Sequence, residues 1–266
     1  MDRYDEFLAL HVPGQPLLMA NAWDAGTAKA LAFCGFRSLA TTSAGHAATL
    51  GRHDGDVTRD EALAHAAALA AAAPCPVSAD LENAFADDPE GVAATIVLAA
   101  ATGLAGASVE DYDPAQSAIY DRQLATERVA AAAEAAHAGP QRLVLTARAE
   151  NHLRGITDLD DTIARLVAYQ EAGADVLYAP AVTSAADIGR IVEAIDRPLN
   201  VLALPGVPPV AELAELGVAR LSVGSGFSLV AYGALVGAAR ELLDAGTYGF
   251  WETAGAARAV SGAFDA

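Results

Sequence analysis

Val77-Ser78-Ala79-Asp80-Leu81-Glu82 carries a short apolar run into two carboxylates, and the same ending recurs at Val109-Glu110-Asp111 and at Ala147-Arg148-Ala149-Glu150. Around these segments, short apolar runs alternate with longer alanine-rich amphipathic stretches, the βαβα signature of parallel α/β proteins. Extended along the chain, the pattern predicts eight strands: Leu17–Asn21, Ser38–Thr42, Val77–Leu81, Ala107–Glu110, Leu143–Ala147, Asp175–Ala179, Leu199–Ala203 and Arg220–Val223. Helices are expected over Ala25–Phe33, Arg59–Ala72, Pro89–Ala101, Thr126–Ala136, Asp158–Ala172, Ala185–Ala194, Val210–Leu216 and Phe227–Leu243. Thr58 with Glu61 three residues on, and Thr157 or Asp158, supply capping chemistry. Gly35, Gly103, Gly139, Gly173 and Gly217 stand where helices end, at positions that favour a left-handed residue.

Eight strands, each followed by a helix, in about 250 residues are the dimensions of a (β/α)8 TIM-type barrel. A doubly wound open sheet is the alternative, since periodicity does not reveal closure. The barrel is assigned to residues 1–245. The remaining 246–266, with Tyr248, Phe250, Trp251 and Phe264, read as an aromatic tail that packs on the barrel or on a neighbouring subunit.

Composition narrows the class. The hydrophobic fraction is 53% and the charged fraction 19%, as in a compact protein with a large core. The apolar residues are mostly dispersed alanines, so no continuous membrane span of about 18 residues is expected. The amino terminus lacks the basic-then-apolar order of a signal peptide, which makes the cytosol the default compartment. A formal net charge of −18 without any Lys/Arg run disfavours nucleic acid and anionic membranes as partners. Cys34 and Cys75 form no metal motif and read as ordinary packed thiols.

In a barrel, functional groups come from the carboxyl ends of strands and the loops after them. The chain places there Asn21 and Asp24, then Thr42-Ser43-Ala44-Gly45-His46, then Asp80 and Glu82, Glu110 and Asp111, and Arg148 and Glu150. Alternation puts Ser78, Asp80 and Glu82 on one face of their strand, so if Asp80 points into the mouth, Glu82 does too. Converging carboxylates repel unless a cation lies between them. Oxygen-only ligands suit a hard ion, Mg²⁺ or Mn²⁺. Arg148, a basic strand end within this acidic group, would take a substrate carboxylate or phosphate in bidentate fashion, or else pair with Glu150 or Glu110. The hydroxyl and glycine turn at Thr41–Gly45 has backbone donors fit for an anion. Asn200, near Ala179-Pro180-Ala181, is a candidate for reading the far end of a small ligand.

Asn21-Ala22-Trp23-Asp24-Ala25, Thr42-Ser43-Ala44-Gly45, Val77–Glu82, Val109-Glu110-Asp111 and Thr146-Ala147-Arg148 together resemble the isocitrate lyase and phosphoenolpyruvate mutase superfamily in order and spacing. The resemblance runs from about Leu17 to Gly226. It implies a barrel whose eighth helix is exchanged between subunits, a dimer-of-dimers tetramer, and Mg²⁺ beside a 2-oxo acid or enolate. By position, Asp80 would be the direct metal ligand, with Glu82 and Glu110 holding metal-bound waters. Ser43 with the Ala44 and Gly45 backbone would hold the substrate carboxylate, Arg148 would bind substrate oxygens, and Asp54 would be the loop aspartate beside the metal.

One departure bears on the subclass. The C–C lyases of that superfamily carry Lys-Lys/Arg-Cys-Gly-His after the fourth strand, where this chain reads Asp111-Tyr112-Asp113-Pro114-Ala115-Gln116-Ser117-Ala118-Ile119-Tyr120. The Lys and Asn of the phosphonate-converting members are absent from this loop as well. The expectation is therefore a methylisocitrate lyase-like or oxaloacetate decarboxylase-like enzyme without the loop cysteine. It would act on a small 2-oxo acid, its hydroxy-acid precursor or a dicarboxylate, with Tyr112, Tyr120 or water as proton source. A binding protein that has lost turnover and an enzyme acting on a P–C bond are the alternatives. A sugar-phosphate aldolase is disfavoured because Lys29 is the chain's only lysine and lies in the first expected helix.

Overall fold

Parallel strands wrapped by helices are buried on both faces, and the apolar runs meet that requirement by closing on themselves. The computed structural model describes residues 3–264. Its barrel strands are β1 (Leu17–Ala22), β2 (Leu39–Thr41), β3 (Val77–Asp80), β4 (Gly106–Glu110), β5 (Val144–Arg148), β6 (Val176–Tyr178), β7 (Leu199–Leu202) and β8 (Arg220–Ser222). They pair in sequence order, and β1 closes on β8 through Leu17↔Arg220, Leu18↔Leu221 and Met19↔Ser222. Closure decides for the barrel over the open sheet.

The register aligns one row of polar residues across five strands. Glu110 pairs with Arg148, Arg148 with Tyr178, Tyr178 with Asn200, and Asn200 with Arg220. Arg148 is the last residue of β5 and Arg220 the first of β8, so this row descends from the carboxyl end of the barrel to its amino end. Barrel shear produces that descent. Residues in one row share a face, and these polar side chains therefore line a single path through the interior.

Helices cover the outside through small apolar faces, with Ala28, Leu69, Ile96, Val129, Leu166, Ile188 and Leu213 in one continuous core with the strands. Thr58 and Glu61 form a reciprocal capping box, and Asp158 caps the helix Leu159–Glu171. The helix expected from Thr126 starts at Arg122 instead, because Asp121 caps it one turn earlier. The amino-terminal end of the barrel is plugged by a short helix, Arg3–Leu8, that periodicity did not reveal. Its Phe7 is fully buried against Leu17, Met19, Val144 and Val176. Gly106 is required there, since a Cβ would come within 2.8 Å of both the Phe7 ring and the Val144 carbonyl oxygen.

Two further elements differ from the expectation. The loop after β4 forms a small hairpin, Tyr112–Asp113 against Ala118–Ile119. The hydroxyl and glycine turn after β2 becomes the helix Ser43–Thr49, because the Thr42 hydroxyl caps the Gly45 N–H at 3.3 Å.

The last long helix, Gly226–Arg240, continues through a π-helical turn, Glu241–Ala245, and stops at Gly246 in the left-handed region. Over Gly226–Ala245 it is long and apolar enough to cross a membrane by length and composition, and only 6% of its apolar window is buried. The segment Gly255–Phe264 lies against the helix Ala25–Phe33.

Replacing Phe7 with alanine should cost about 3–5 kcal/mol, the usual loss for a buried aromatic. Urea unfolding measures it, and a change below 1 kcal/mol on that roughly calibrated scale would refute the plug.

Candidate functional site

A cavity of about 250 Å³ opens at the carboxyl ends of the strands and reaches down to Met19 and Arg220. It is smaller than the roughly 300–1,000 Å³ of drug-sized sites, so it suits a small ligand. Of the residues singled out in the sequence, Ser43, Ala44, Asp54, Asp80, Arg148 and Asn200 line it. Asn21 does too, but its amide is occupied in closing the barrel. Its Nδ2 donates to the Thr41 carbonyl at 2.7 Å, and its Oδ1 accepts from the Val223 and Gly224 N–H groups at 3.1 and 2.9 Å.

Arg148 is the centre of the site. Its Nη1 donates to Asp80 Oδ1 at 2.9 Å, its Nη2 lies 3.0 Å from Glu110 Oε2, and its Nε and Nη2 converge on Glu150 Oε1 at 3.0 and 2.9 Å. Burial raises Glu110 and Glu150 above ordinary carboxylate values although Arg148 lies between them. Burial also lowers Arg148, but Glu150, Glu110 and Asp80 together more than offset it and keep the guanidinium charged. Pairing with Glu150 and Glu110, one of the two readings of this residue, is what the fold displays. It leaves the cavity-facing edge of the side chain beside Asp80.

Asp80 also accepts from the Ser43 hydroxyl at 3.2 Å through Oδ2. Asp54, close to Ser43 and Asp80, is raised by burial and by the Asp80 charge. Glu82 does not follow Asp80 into the cavity. Strand β3 ends at Asp80 and Glu82 takes a left-handed φ of 52°, so two-residue alternation no longer applies. It faces a separate small void with Asp80, His46 and His65, and burial together with Asp80 and Asp54 pushes its carboxyl up to about 7. The two imidazoles stack at 3.7 Å, and His65 Nε2 meets the Trp23 carbonyl at 3.0 Å.

Glu110 likewise stays out of the cavity lining and serves Arg148 and, at 3.4 Å, Arg154. Among the described residues no three His, Cys, Asp or Glu side chains converge as a cation cage. The reason is that Arg148 occupies the space between Asp80, Glu110 and Glu150. Gly45 supplies room rather than a donor: its N–H is held by Thr42, and a Cβ would meet Thr42 Cγ2 at 2.5 Å and Trp23 Cβ at 3.1 Å.

Asp111, the first residue beyond β4, turns away from the acidic cluster. It accepts from the Glu150 N–H at 2.8 Å, Arg165 Nη1 at 3.1 Å and the Tyr169 hydroxyl at 2.6 Å. Neither tyrosine proposed as proton source reaches the cavity. Tyr120 donates to Asp87 at 2.6 Å, and the Tyr112 ring lies under the Arg154 guanidinium at 3.4 Å. The hairpin closes on itself, Asp113 accepting from Ala115 N at 2.8 Å and Gln116 Nε2 at 2.8 Å.

The polar cavity residues missed in the sequence are Tyr178, Ser222 and Arg220. Tyr178 is buried 5.3 Å from the Arg148 guanidinium, and burial pushes its hydroxyl up to about 12. The available signal was a polar residue inside an expected barrel strand, as at Arg220.

The sequence profile of the phosphoenolpyruvate phosphomutase family matches residues 7–243. A protein of Mycobacterium tuberculosis is 35% identical over 221 residues, which cover 82% of this chain and 81% of the relative. The 2-methylisocitrate lyase of Salmonella typhimurium is 26% identical over 233 residues, covering 80% and 74%. Among solved structures, a Burkholderia cenocepacia J2315 protein with a provisional lyase/mutase description matches with a TM-score of 0.94 and 49% identity, over 99% of this chain and 96% of the other. A phosphonopyruvate hydrolase solved with oxalate and Mg²⁺ shares the fold, with a TM-score of 0.81 and 21% identity over 92% and 88%.

Arg148→Ala should cost about 3–5 kcal/mol at neutral pH, because it leaves buried carboxylates without a counter-charge. The deficit should shrink toward pH 5, as Glu110 and Glu150, already raised by burial, take up protons. Denaturant unfolding across that range measures it, and a pH-independent loss would contradict the charge argument.

Proposed function

The chain belongs to the phosphoenolpyruvate phosphomutase family, and we propose that it is a carbon–carbon lyase acting on a small 2-oxo acid or its hydroxy-acid precursor through an enolate. The observation that carries this reading is Arg148, held by three carboxylates at the wall of a small cavity that also presents Asp80, Ser43 and Asp54. Such a permanently charged, prepositioned fork stabilises the negative charge that develops on substrate oxygens as the bond breaks.

Asp80 and Asp54, the carboxylates that line the cavity, suit Mg²⁺, or Mn²⁺ in its place. Asp54, Asp80, Glu82, Glu110 and Glu150 face Arg148 and Arg154, so negative charge is left in excess, and Glu82 and Asp54 are raised in part by that repulsion. Mg²⁺ commonly binds through one or two carboxylates and keeps several waters. Asp80 would hold the ion directly, and Glu82 and Glu110, which lie outside the cavity lining, would reach it only through its waters. Bound there, the ion supplies Lewis acidity toward the 2-oxo group.

The chain's own groups do the rest. The Ser43 hydroxyl and the Ala44 N–H hold the substrate carboxylate, with Asp54 beside them, and Arg148 holds the developing enolate oxygen. Tyr178, kept protonated by burial, supplies a proton to the carbon from the cavity wall. Decarboxylation of a 2-oxo diacid needs no acid/base group from the loop after β4, in keeping with a hairpin that contributes nothing to the cavity lining. That same hairpin favours a second reading, a 2-oxo-acid-binding protein without turnover.

The exposed face of Gly226–Ala245, with Leu229 at 65% and Val230 at 71% exposure, supports packing against a second copy in a homotetramer. Exchange of this helix between subunits would bury it.

Purified protein with Mg²⁺ should release product from at least one of oxaloacetate, methylisocitrate, isocitrate and phosphonopyruvate, followed by pyruvate or glyoxylate formation. Silence across that panel would sink the lyase reading, and Mg²⁺-dependent calorimetric binding without product would favour the binding protein. Asp80→Ala should abolish Mg²⁺ binding, so unaltered affinity would remove the metal assignment. Sedimentation should show an oligomer that Val230→Glu with Leu235→Glu dissociates, whereas a wild-type monomer would refute the assembly.

A further inference from the structure

The two arginines of the cavity are partnered in opposite ways. Arg148, at the mouth, meets three carboxylates. Arg220, at the floor, meets no carboxylate among the described residues. Its Nε donates to Asn200 Oδ1 at 2.9 Å, its Nη2 to the Thr146 hydroxyl at 3.1 Å, and its Nη1 lies 3.1 Å from His11 Nε2. These three are neutral acceptors, because burial and the Arg220 charge push His11 down to about 3. Arg220 is 2% exposed, yet it lines the cavity.

A guanidinium has five N–H donors in a fixed fork, and three directions are taken here. Burying a charge without a counter-charge is expensive, and the cost appears in Arg220 itself, which burial lowers to about 9. The surrounding groups hold it in place without neutralising it. Asn200 is spent at both ends, accepting from Arg220 and donating through Nδ2 to Ser222 Oγ at 2.9 Å. A residue needed only for packing would be met more cheaply by an apolar side chain of similar volume.

The register row places Arg148, Tyr178, Asn200 and Arg220 along one inner wall, from mouth to floor. We propose that Arg220 is an anion-recognition group at the cavity floor, and that the ligand is a dianion whose second oxyanion descends to it while its 2-oxo end meets Arg148. This rests on the 2-oxo-acid reading for the upper end alone. Asn200 and Thr146 act as positioning residues that aim the fork. The assignment selects 2-oxo diacids, carboxylate- or phosphonate-ended, over monocarboxylates such as pyruvate.

The test is equilibrium binding by calorimetry with Mg²⁺ present, using malonate and succinate, each against its half-amide, and phosphonoacetate in parallel. Wild-type protein should bind a diacid at least about tenfold more tightly than its half-amide, a difference of about 1.4 kcal/mol. Arg220→Gln should bring that ratio below about twofold, whereas Arg220→Lys should retain part of it. Preference for phosphonoacetate over malonate, lost in Arg220→Gln, would assign a phosphonate end, and the reverse preference a carboxylate end. A wild-type protein that does not distinguish diacid from half-amide overturns the proposal, even if Arg220→Gln does not fold, and so does an Arg220→Gln variant that keeps the preference. Selectivity without turnover would count against the lyase reading only, and turnover without selectivity against this one only.

Discussion

The contact of one guanidinium with three carboxylates organises this molecule's functional end. Arg148 sits where Asp80, Glu110 and Glu150 converge from β3, β4 and the loop after β5. In the low-dielectric barrel mouth none of the four could be buried alone. Together they satisfy one another. The arrangement is supported from behind, because Asp111 receives the Glu150 N–H and is itself gripped by Arg165 and Tyr169 of the helix Leu159–Glu171. A helix on the outer surface thereby fixes a charge on the inner wall.

Below this knot the barrel wall changes character. The row from Arg148 through Tyr178 and Asn200 to Arg220 is polar throughout, but negative partners are confined to its upper end. The cavity therefore has Asp54, Asp80 and Arg148 at its mouth and, at its floor, a guanidinium held by neutral groups among the described residues.

The periphery carries its own division of labour. The hairpin after β4 turns its carboxylate Asp113 inward on its own backbone, and Tyr120 is tied to Asp87, so this loop braces itself and leaves the cavity to strand residues. The long carboxyl-terminal helix does the opposite and presents apolar residues outward. Burial of such a face against another copy would satisfy the same hydrophobic requirement that the remaining helices meet within the chain.

Eight strand runs, their order, and the positions of Asp80, Glu110 and Arg148 at strand ends were legible in the sequence, because alternation and capping are local properties that the chain expresses within a few residues. Closure was not, since Leu17 meets Arg220 only across the whole chain. Nor was the fate of Glu82: alternation carries a side chain's direction only while the strand lasts, and β3 stops at Asp80. Arg220 read simply as the start of an apolar run. Its place on the same wall as Arg148 depends on barrel shear, which sums small register shifts over several strands and leaves no trace in any one of them. The sequence by itself determined which chemical groups stand at the strand ends. Tertiary structure alone decided which of them share a cavity, because burial and charge pairing are settled between strands rather than along them.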